Sequence, residues 1–253
     1  MIQACLNGDR HPKAHPRLPV TPADVARATR DVVEAGAFMV HVHPRDEHGL
    51  ESLAVEHVVD TVDAIRSLVP DVGISVSTRD GIATDERTKL SQVSAWPGPE
   101  EGGPDCANVN WHEPGAVRLA GILRARGIGV EAGIWTPHSA TAFVSTNWPW
   151  QVERVLVEVI PGHTRGSDGA WAAERILAAL GMSPATVLVH GEQAWAWPVL
   201  RWAQRSGYDV RIGLEDTLVM PTGREAHDNA QLVAEALKTG GGAPTQWPVP
   251  DPL

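Results

Sequence analysis

The chain has 253 residues, 43% of them hydrophobic and 21% charged, the proportions of an ordinary soluble globular protein long enough to bury a large core. A formal net charge of -10 with a pI near 5.5 leaves no basic face for a phosphate backbone, which argues against nucleic-acid partners and makes any small anionic ligand dependent on local positive charge. Cys5 and Cys106 stand in apolar runs, as buried thiols of a cytoplasmic protein would, and neither a secretory signal core nor a run of about 18 apolar residues is present, so neither export nor a membrane span is expected.

From the first residues onward, β-rich runs alternate with helical patterns. The runs fall at residues 2–6, 38–43, 73–77, 106–110, 129–135, 154–159, 186–190 and 210–215. Between them, helices are predicted over residues 21–36, 53–68, 116–127, 169–181, 194–207 and 229–238. The first helix has both ends marked: Thr21 is a cap, Pro22 opens the first turn, Asp24 places acid there, and Gly36 stops it. Such alternation argues for repeated βα units and a parallel sheet. Eight strands in a chain of this length predict an α/β fold, a single (β/α)8 TIM barrel domain over residues 1–253, rather than an open doubly wound sheet. The stretch WPGPEEGGP at residues 96–104 reads as a loop. Residues 240–253, GGGAPTQWPVPDPL, form a Gly- and Pro-rich C-terminal tail, unsuited to regular structure and free to wrap a neighbouring chain.

In such a barrel the active site lies at the carboxyl ends of the strands, so the closing residues are read together. The second strand ends in His41-Val42-His43, and alternation places both imidazoles on one face, where they can grip one ion. Neutral imidazoles suit zinc and other borderline metals. The competing reading is two packed or surface histidines, although the apolar run Phe38-Met39-Val40 places the pair where a strand leaves the core. The eighth strand ends in Arg211-Ile212-Gly213-Leu214-Glu215-Asp216, with Arg211, Gly213 and Glu215 sharing a face. Strands eight and two flank strand one, so Glu215 can join the histidines. Two imidazoles and one carboxylate leave coordination positions open, as a catalytic metal needs. Asp216 then stands as a general base, and Arg211 as a stabiliser of a developing oxyanion. Alone, Glu215 and Asp216 also read as a solvated acidic turn. Ser75, Ser77, Thr78, Asn108, Asn110, Glu131, Trp135, His190 and Glu192 close other strands as candidates for holding a substrate carboxylate, or as loop caps; His190 is also an alternative metal ligand.

Over nearly its whole length the chain resembles the β-keto acid cleavage enzymes, of the 3-keto-5-aminohexanoate cleavage type. The resemblance rests on LPVTP at 18–22, EAGAFMVHVHPRDEHG at 34–49, the pair Ser77-Thr78, PDCANVN at 104–110, RIGLEDTL at 211–218 and DNAQLV at 228–233. It implies a zinc-dependent retro-Claisen reaction in which a small β-keto acid and acetyl-CoA become acetoacetate and a new CoA ester. It implies His41, His43 and Glu215 as zinc ligands, Asp216 as base, Arg211 as stabiliser of the reacting oxygens and Ser77 on the substrate, with Asn108 where the family carries a threonine. It also implies a homo-oligomer, a tetramer. The family's Ser-Thr-Gly-Gly turn reads Ser77-Thr78-Arg79-Asp80 here, placing an opposed charge pair near the site. An acidic substrate contact after strand one falls near Asp9 or Arg10. The seventh strand ends His190-Gly191-Glu192, where the family has a glycine-rich turn followed by arginine. The same site without CoA would make a metal-dependent aldolase or hydrolase, and without chemistry a metal-binding barrel.

Overall fold

The computed structural model describes residues 1–163 and 168–240. Eight parallel strands close into one barrel in chain order, β1 (Ile2–Cys5), β2 (Met39–Val42), β3 (Gly73–Ser77), β4 (Cys106–Asn110), β5 (Gly129–Ile134), β6 (Arg154–Val159), β7 (Thr186–Gly191) and β8 (Asp209–Ile212). Closure is made by β8 pairing onto β1, with Gln3 opposite Arg211 on one side and opposite Met39 on the other. The helices are α1 (Pro22–Glu34), α2 (Val55–Leu68), α3 (Glu86–Ser94), α4 (Ala116–Ala125), α5 (Pro137–Val144), α6 (Gly169–Leu180), α7 (Ala196–Arg205) and α8 (Asn229–Gly240). The (β/α)8 expectation therefore holds. The first residue of the predicted tail, Gly240, instead ends α8, and residues 241–253 lie outside the described residues.

Alternation along the strands divides two environments. Val40, Val42, Ile74, Val76, Val155, Val157 and Ile212 belong to the apolar core together with helix residues such as Val58, Val62, Ile65, Leu119 and Leu200. The opposite strand faces fill the barrel with Gln3, His41, Ser75, Asn108, Glu131, Arg154, Glu158, His190 and Arg211, all buried. A (β/α)8 interior is usually filled by branched apolar side chains. A polar one must be paired internally to be tolerated.

Two helices, α3 and α5, were not anticipated. α3, ERTKLSQVS, carries only two aliphatic residues, too few for a periodic pattern; its N-cap Asp85, which accepts from Thr88 N, is the signal that marks it. α5 starts as α1 does, with Thr136 capping and Pro137 at the first helical position, so the same two-residue signature announces both. β8 is shorter than predicted, ending at Ile212 instead of continuing to residue 215. Gly213 packs so tightly on the Cys5 carbonyl that a Cβ there would overlap it, and the chain then turns, with Asp216 N and Thr217 N donating to Gly213 O. Glu215 thus reaches the barrel mouth from a tight turn, not from strand alternation.

Candidate functional site

His41, His43 and Glu215 converge at the mouth between β1, β2 and β8, each offering one ligand atom within 4.8 Å of the others. The two imidazole Nε2 atoms lie 3.3 Å apart, and Glu215 Oε1 is 4.0 Å from His41 Nε2 and 3.8 Å from His43 Nε2. Bonds of about 2.0–2.1 Å to a tetrahedral zinc would set neighbouring ligand nitrogens roughly 3.3 Å apart, so the imidazoles already have that spacing and the carboxylate stands slightly wide. Glu215 Oε2 is buried with no hydrogen-bond partner in the protein, which suits a carboxylate waiting on a cation. The donor set fits a divalent metal.

The ring nitrogens facing away are fixed. His41 Nδ1 meets Ser75 Oγ at 3.1 Å, and Ser75 in turn donates to Glu131 Oε2. Glu131, fully buried, also holds Gln3 Nε2 at 3.2 Å and Arg154 Nε at 3.1 Å. His43 Nδ1 meets Glu51 Oε1 at 2.6 Å, and Arg79 Nε donates to the same oxygen at 3.0 Å. Carboxylates behind imidazoles fix the tautomer that presents Nε2 to a metal. Burial pushes His41 well below the usual imidazole range, reinforced by the charges of Arg211, His43 and His190, so the ring stays neutral as a ligand must. Burial alone would raise Glu51, but the hydrogen bonds and charges of His43 and Arg79 prevail and hold it at about 2.

Beside this trio, Arg211 donates from Nε to Cys5 Sγ at 2.8 Å and from Nη2 to Glu215 Oε1 at 3.1 Å, leaving Nη1 unpartnered. Asp216 is fully buried; Oδ1 lies 3.0 Å from His190 Nδ1, and Oδ2 has no partner. His190 Nε2 reaches Glu158 Oε2 at 3.2 Å, and Glu158 Oε1 accepts from Asn108 Nδ2 at 3.2 Å. Burial and Arg211 oppose charge on His190, yet Asp216 and Glu158 raise it to about 9, while His190 outweighs burial and brings Glu158 down to about 2. The result is a buried imidazolium between two carboxylates. Glu192 is pushed up to about 8 by burial and by Asp216.

Five of the predicted residues, His41, His43, Glu215, Arg211 and Asp216, are therefore brought together. Ser77 closes β3 and accepts from Arg79 N at 3.4 Å. The buried Thr78 hydroxyl is used on the Asn108 carbonyl. Glu131 sits inside the barrel behind Ser75 rather than at the mouth. His190 bonds Asp216 and Glu158 and is not among the ligand trio. Arg79 and Asp80 do not pair their charges: Arg79 binds Glu51 and lies 3.6 Å from Asp9, whereas Asp80 binds Lys89. Glu51 and Glu158 escaped the sequence reading. Glu158 left a signal, a carboxylate inside the apolar strand RVLVEV, whereas Glu51 stands in the β2–α2 loop with nothing to distinguish it.

A closed (β/α)8 barrel with two histidines and a carboxylate at its carboxyl face, flanked by an acid with one unpartnered oxygen and by an unpartnered guanidinium nitrogen, defines a candidate metal-site enzyme. The sequence profile of the β-keto acid cleavage enzymes matches residues 1–243, and the chain belongs to that enzyme family. It is 23% identical over 251 residues to the 3-keto-5-aminohexanoate cleavage enzyme of Acetoanaerobium sticklandii, covering 94% of this chain and 90% of that one. To the enzyme of the same name from Fusobacterium nucleatum it is 25% identical over 255 residues, with the same coverage. Among solved structures, the ternary complex of ObcA with C4-CoA adduct and oxalate superposes with a TM-score of 0.67 at 16% identity, over 88% of this chain and 63% of that one. That likeness shows the shared fold. Among the described residues no helix is long and apolar enough to cross a membrane, and both cysteines are free and buried.

Proposed function

We propose that this protein is a zinc-dependent β-keto acid cleavage enzyme that uses acetyl-CoA as co-substrate and yields acetoacetate and a new CoA ester. The observation that carries the reading is the convergence of His41, His43 and Glu215 beside two buried atoms without partners, Asp216 Oδ2 and Arg211 Nη1. A metal held by the trio would supply Lewis-acid polarisation of the keto oxygen, which acidifies C2 of the acid. Asp216 Oδ2, which has no partner in the protein while Oδ1 is held by His190, takes the C2 proton. The C2 electron pair forms a bond to the thioester carbonyl carbon, and the CoA thiolate leaves. The thiolate then attacks the original keto carbon; the C2–C3 bond breaks, its electrons return to C2 with a proton, and acetoacetate and the new thioester part. Arg211 Nη1 donates to oxygen as negative charge develops on it. Ser77 and Asn108 contact the substrate, Thr78 orients the β3–β4 edge, and Glu131 acts on His41 through Ser75.

The reading extends to a cytoplasmic homotetramer: two free buried thiols suit a reducing compartment, and the tetramer follows from the family resemblance, with light scattering as its test. The decisive experiment incubates zinc-loaded protein with a panel of β-keto acids, with and without acetyl-CoA, and follows acetoacetate and CoA esters by mass spectrometry. Acetoacetate that requires acetyl-CoA is expected. Cleavage without acetyl-CoA would instead make the protein a metal-dependent aldolase or hydrolase.

A further inference from the structure

The end of β7 holds Asp216 by its side chain and by its backbone. Glu158 on β6 and His190 on β7 are register partners in adjacent strands, so their side chains share the inner face of the barrel. His190 Nε2 lies 3.2 Å from Glu158 Oε2, and its Nδ1 lies 3.0 Å from Asp216 Oδ1. Both ring nitrogens face carboxylate oxygens, so both act as donors. Glu158 is held in turn from β4, where Asn108 Nδ2 donates to its Oε1 at 3.2 Å. Three residues beyond His190, the Gln193 N–H donates at 2.7 Å to the Asp216 backbone carbonyl. Gln193 has φ +53, the one positive φ outside glycine among the described residues, a conformation that costs a residue with a side chain about 1–2 kcal/mol.

Stability is a weak explanation for three charged groups buried together, because their desolvation offsets most of their attraction and apolar residues of the same volume often serve as well. Their effect on Asp216 explains them better. A carboxylate turns about its last bond and can present either oxygen. Asp216 is fully buried, and fixing Oδ1 on His190 stops that rotation and leaves Oδ2 as the oxygen without a partner. We propose that His190 is a positioning residue for the base: its Nδ1–H fixes the Asp216 carboxylate in one orientation, and Glu158 fixes the imidazole from behind. The proposal rests on the reading of Asp216 as the group that takes the C2 proton. His190 touches no reacting atom, and its influence on the reaction passes through Asp216.

The test uses acetoacetate, itself a β-keto acid, with acetyl-CoA isotopically labelled at the thioester carbonyl, so that the tail of the physiological acid does not enter. C2 of acetoacetate gives its proton to Asp216 and bonds to the labelled carbonyl carbon as the CoA thiolate leaves. The thiolate attacks the original keto carbon, the C2–C3 bond breaks and C2 regains a proton. Label thereby passes into acetoacetate, and unlabelled acetyl-CoA forms. Asparagine places an amide nitrogen near the position of imidazole Nδ1, and glutamine near that of Nε2. His190→Gln therefore keeps the contact with Glu158 and withdraws the donor from Asp216, whereas His190→Asn does the reverse. Misplacing a catalytic group by about 1 Å can cost about 100-fold, so His190→Gln is expected to lose about that much in kcat for label transfer, and His190→Asn less than about tenfold. KM for acetoacetate and zinc content should stay at the wild-type values in both. Equal losses in the two variants, or a loss that appears in KM or zinc content instead of kcat, overturn the positioning role. Should either variant not fold, Glu158→Gln decides: a lower kcat with KM and zinc content unchanged supports the proposal, and an unaltered kcat overturns it. Absence of label transfer by the zinc-loaded wild type, a different result from any of these, overturns the cleavage reading and the proposal with it.

Discussion

Gly8 makes the candidate metal ligand Glu215 possible, and replacing it tests the site without touching a ligand. Gly8 has φ +56, and a Cβ added there would lie 2.5 Å from Glu215 Cγ, 3.0 Å from its Cβ and 3.2 Å from its Cδ. Carbon atoms settle at about 3.5–4.0 Å, so Gly8→Ala must push the root of the Glu215 side chain by about 1 Å. Metal sites tolerate ligand displacements of only about 0.2 Å. Loss of an outer-shell support lowers metal affinity about 10- to 100-fold, and displacing a ligand is at least as damaging, so a loss of about 1.4–2.8 kcal/mol or more is expected. The left-handed backbone adds strain on the order of 1–2 kcal/mol for alanine, which lowers stability as well. Gly207→Ala isolates that strain, because Gly207 has φ +80 and its Cβ would meet nothing within 4 Å. Zinc affinity, read by competition with a chromophoric chelator, should fall for Gly8→Ala and stay unchanged for Gly207→Ala, while both unfold at lower temperature. Unchanged affinity in Gly8→Ala would show that Glu215 does not bind the metal.

Glu215→Gln removes the anionic ligand and should abolish stoichiometric zinc, measured by elemental analysis, whereas Asp216→Asn should retain zinc and lose about 10²–10⁴ in turnover; retained turnover in the latter removes Asp216 from the mechanism. Glu51→Gln weakens the hydrogen bond behind His43 and should lower zinc affinity about 10- to 100-fold with little change in fold, as circular dichroism would report. The His190–Glu158 pair predicts a stability window. Glu158 is lowered from 4.5 to about 2, so its contribution is complete above about pH 4.5 and is lost as pH falls toward 2. His190 is raised from 6.5 to about 9, so its contribution is complete below about pH 6.5 and is lost as pH rises through 9. Glu192, raised from 4.5 to about 8, adds a loss of stability between those values, so the melting temperature of the metal-free protein should peak near pH 4.5 and decline above it, and His190→Asn should remove only the part of the decline that falls between about pH 6.5 and 9.

The barrel was legible because its signals are local: eight β-rich runs, and caps such as Thr21 with Pro22. His41 and His43 were legible for the same reason, since a two-residue spacing on a strand fixes a shared face. Glu215 was placed correctly for an incomplete reason. Alternation along β8 stops at Ile212, and the tight contact of Gly213 with Cys5 creates the turn that delivers the carboxylate. Contacts across the barrel were not legible at all. His190 to Asp216 spans 26 residues, His190 to Glu158 spans 32 and Ser75 to Glu131 spans 56, distances over which no periodicity carries information. Only the anomaly of charged residues inside apolar strands, Arg154 and Glu158 in β6, hinted that the interior was polar.

The turn after β3 illustrates why a substitution near a site need not change what the site recognises. Arg79 and Asp80 stand where the family pattern has two glycines, and two opposite charges there suggest a new substrate contact. Each charge is instead used by the scaffold. Arg79 binds Glu51, the carboxylate behind His43, and Asp80 joins Glu113 on the buried Lys89. Arg79 therefore acts on the candidate metal site from behind, by holding Glu51 ionised and in place. Glu113 carries the consequence across the barrel mouth: besides Lys89 it accepts Asn110 Nδ2, the bond that turns the Asn110 oxygen toward Gly133. The charges of the β3 turn are thus spent on the scaffold, Arg79 on the carboxylate behind His43 and Asp80 on the lysine that also holds Glu113.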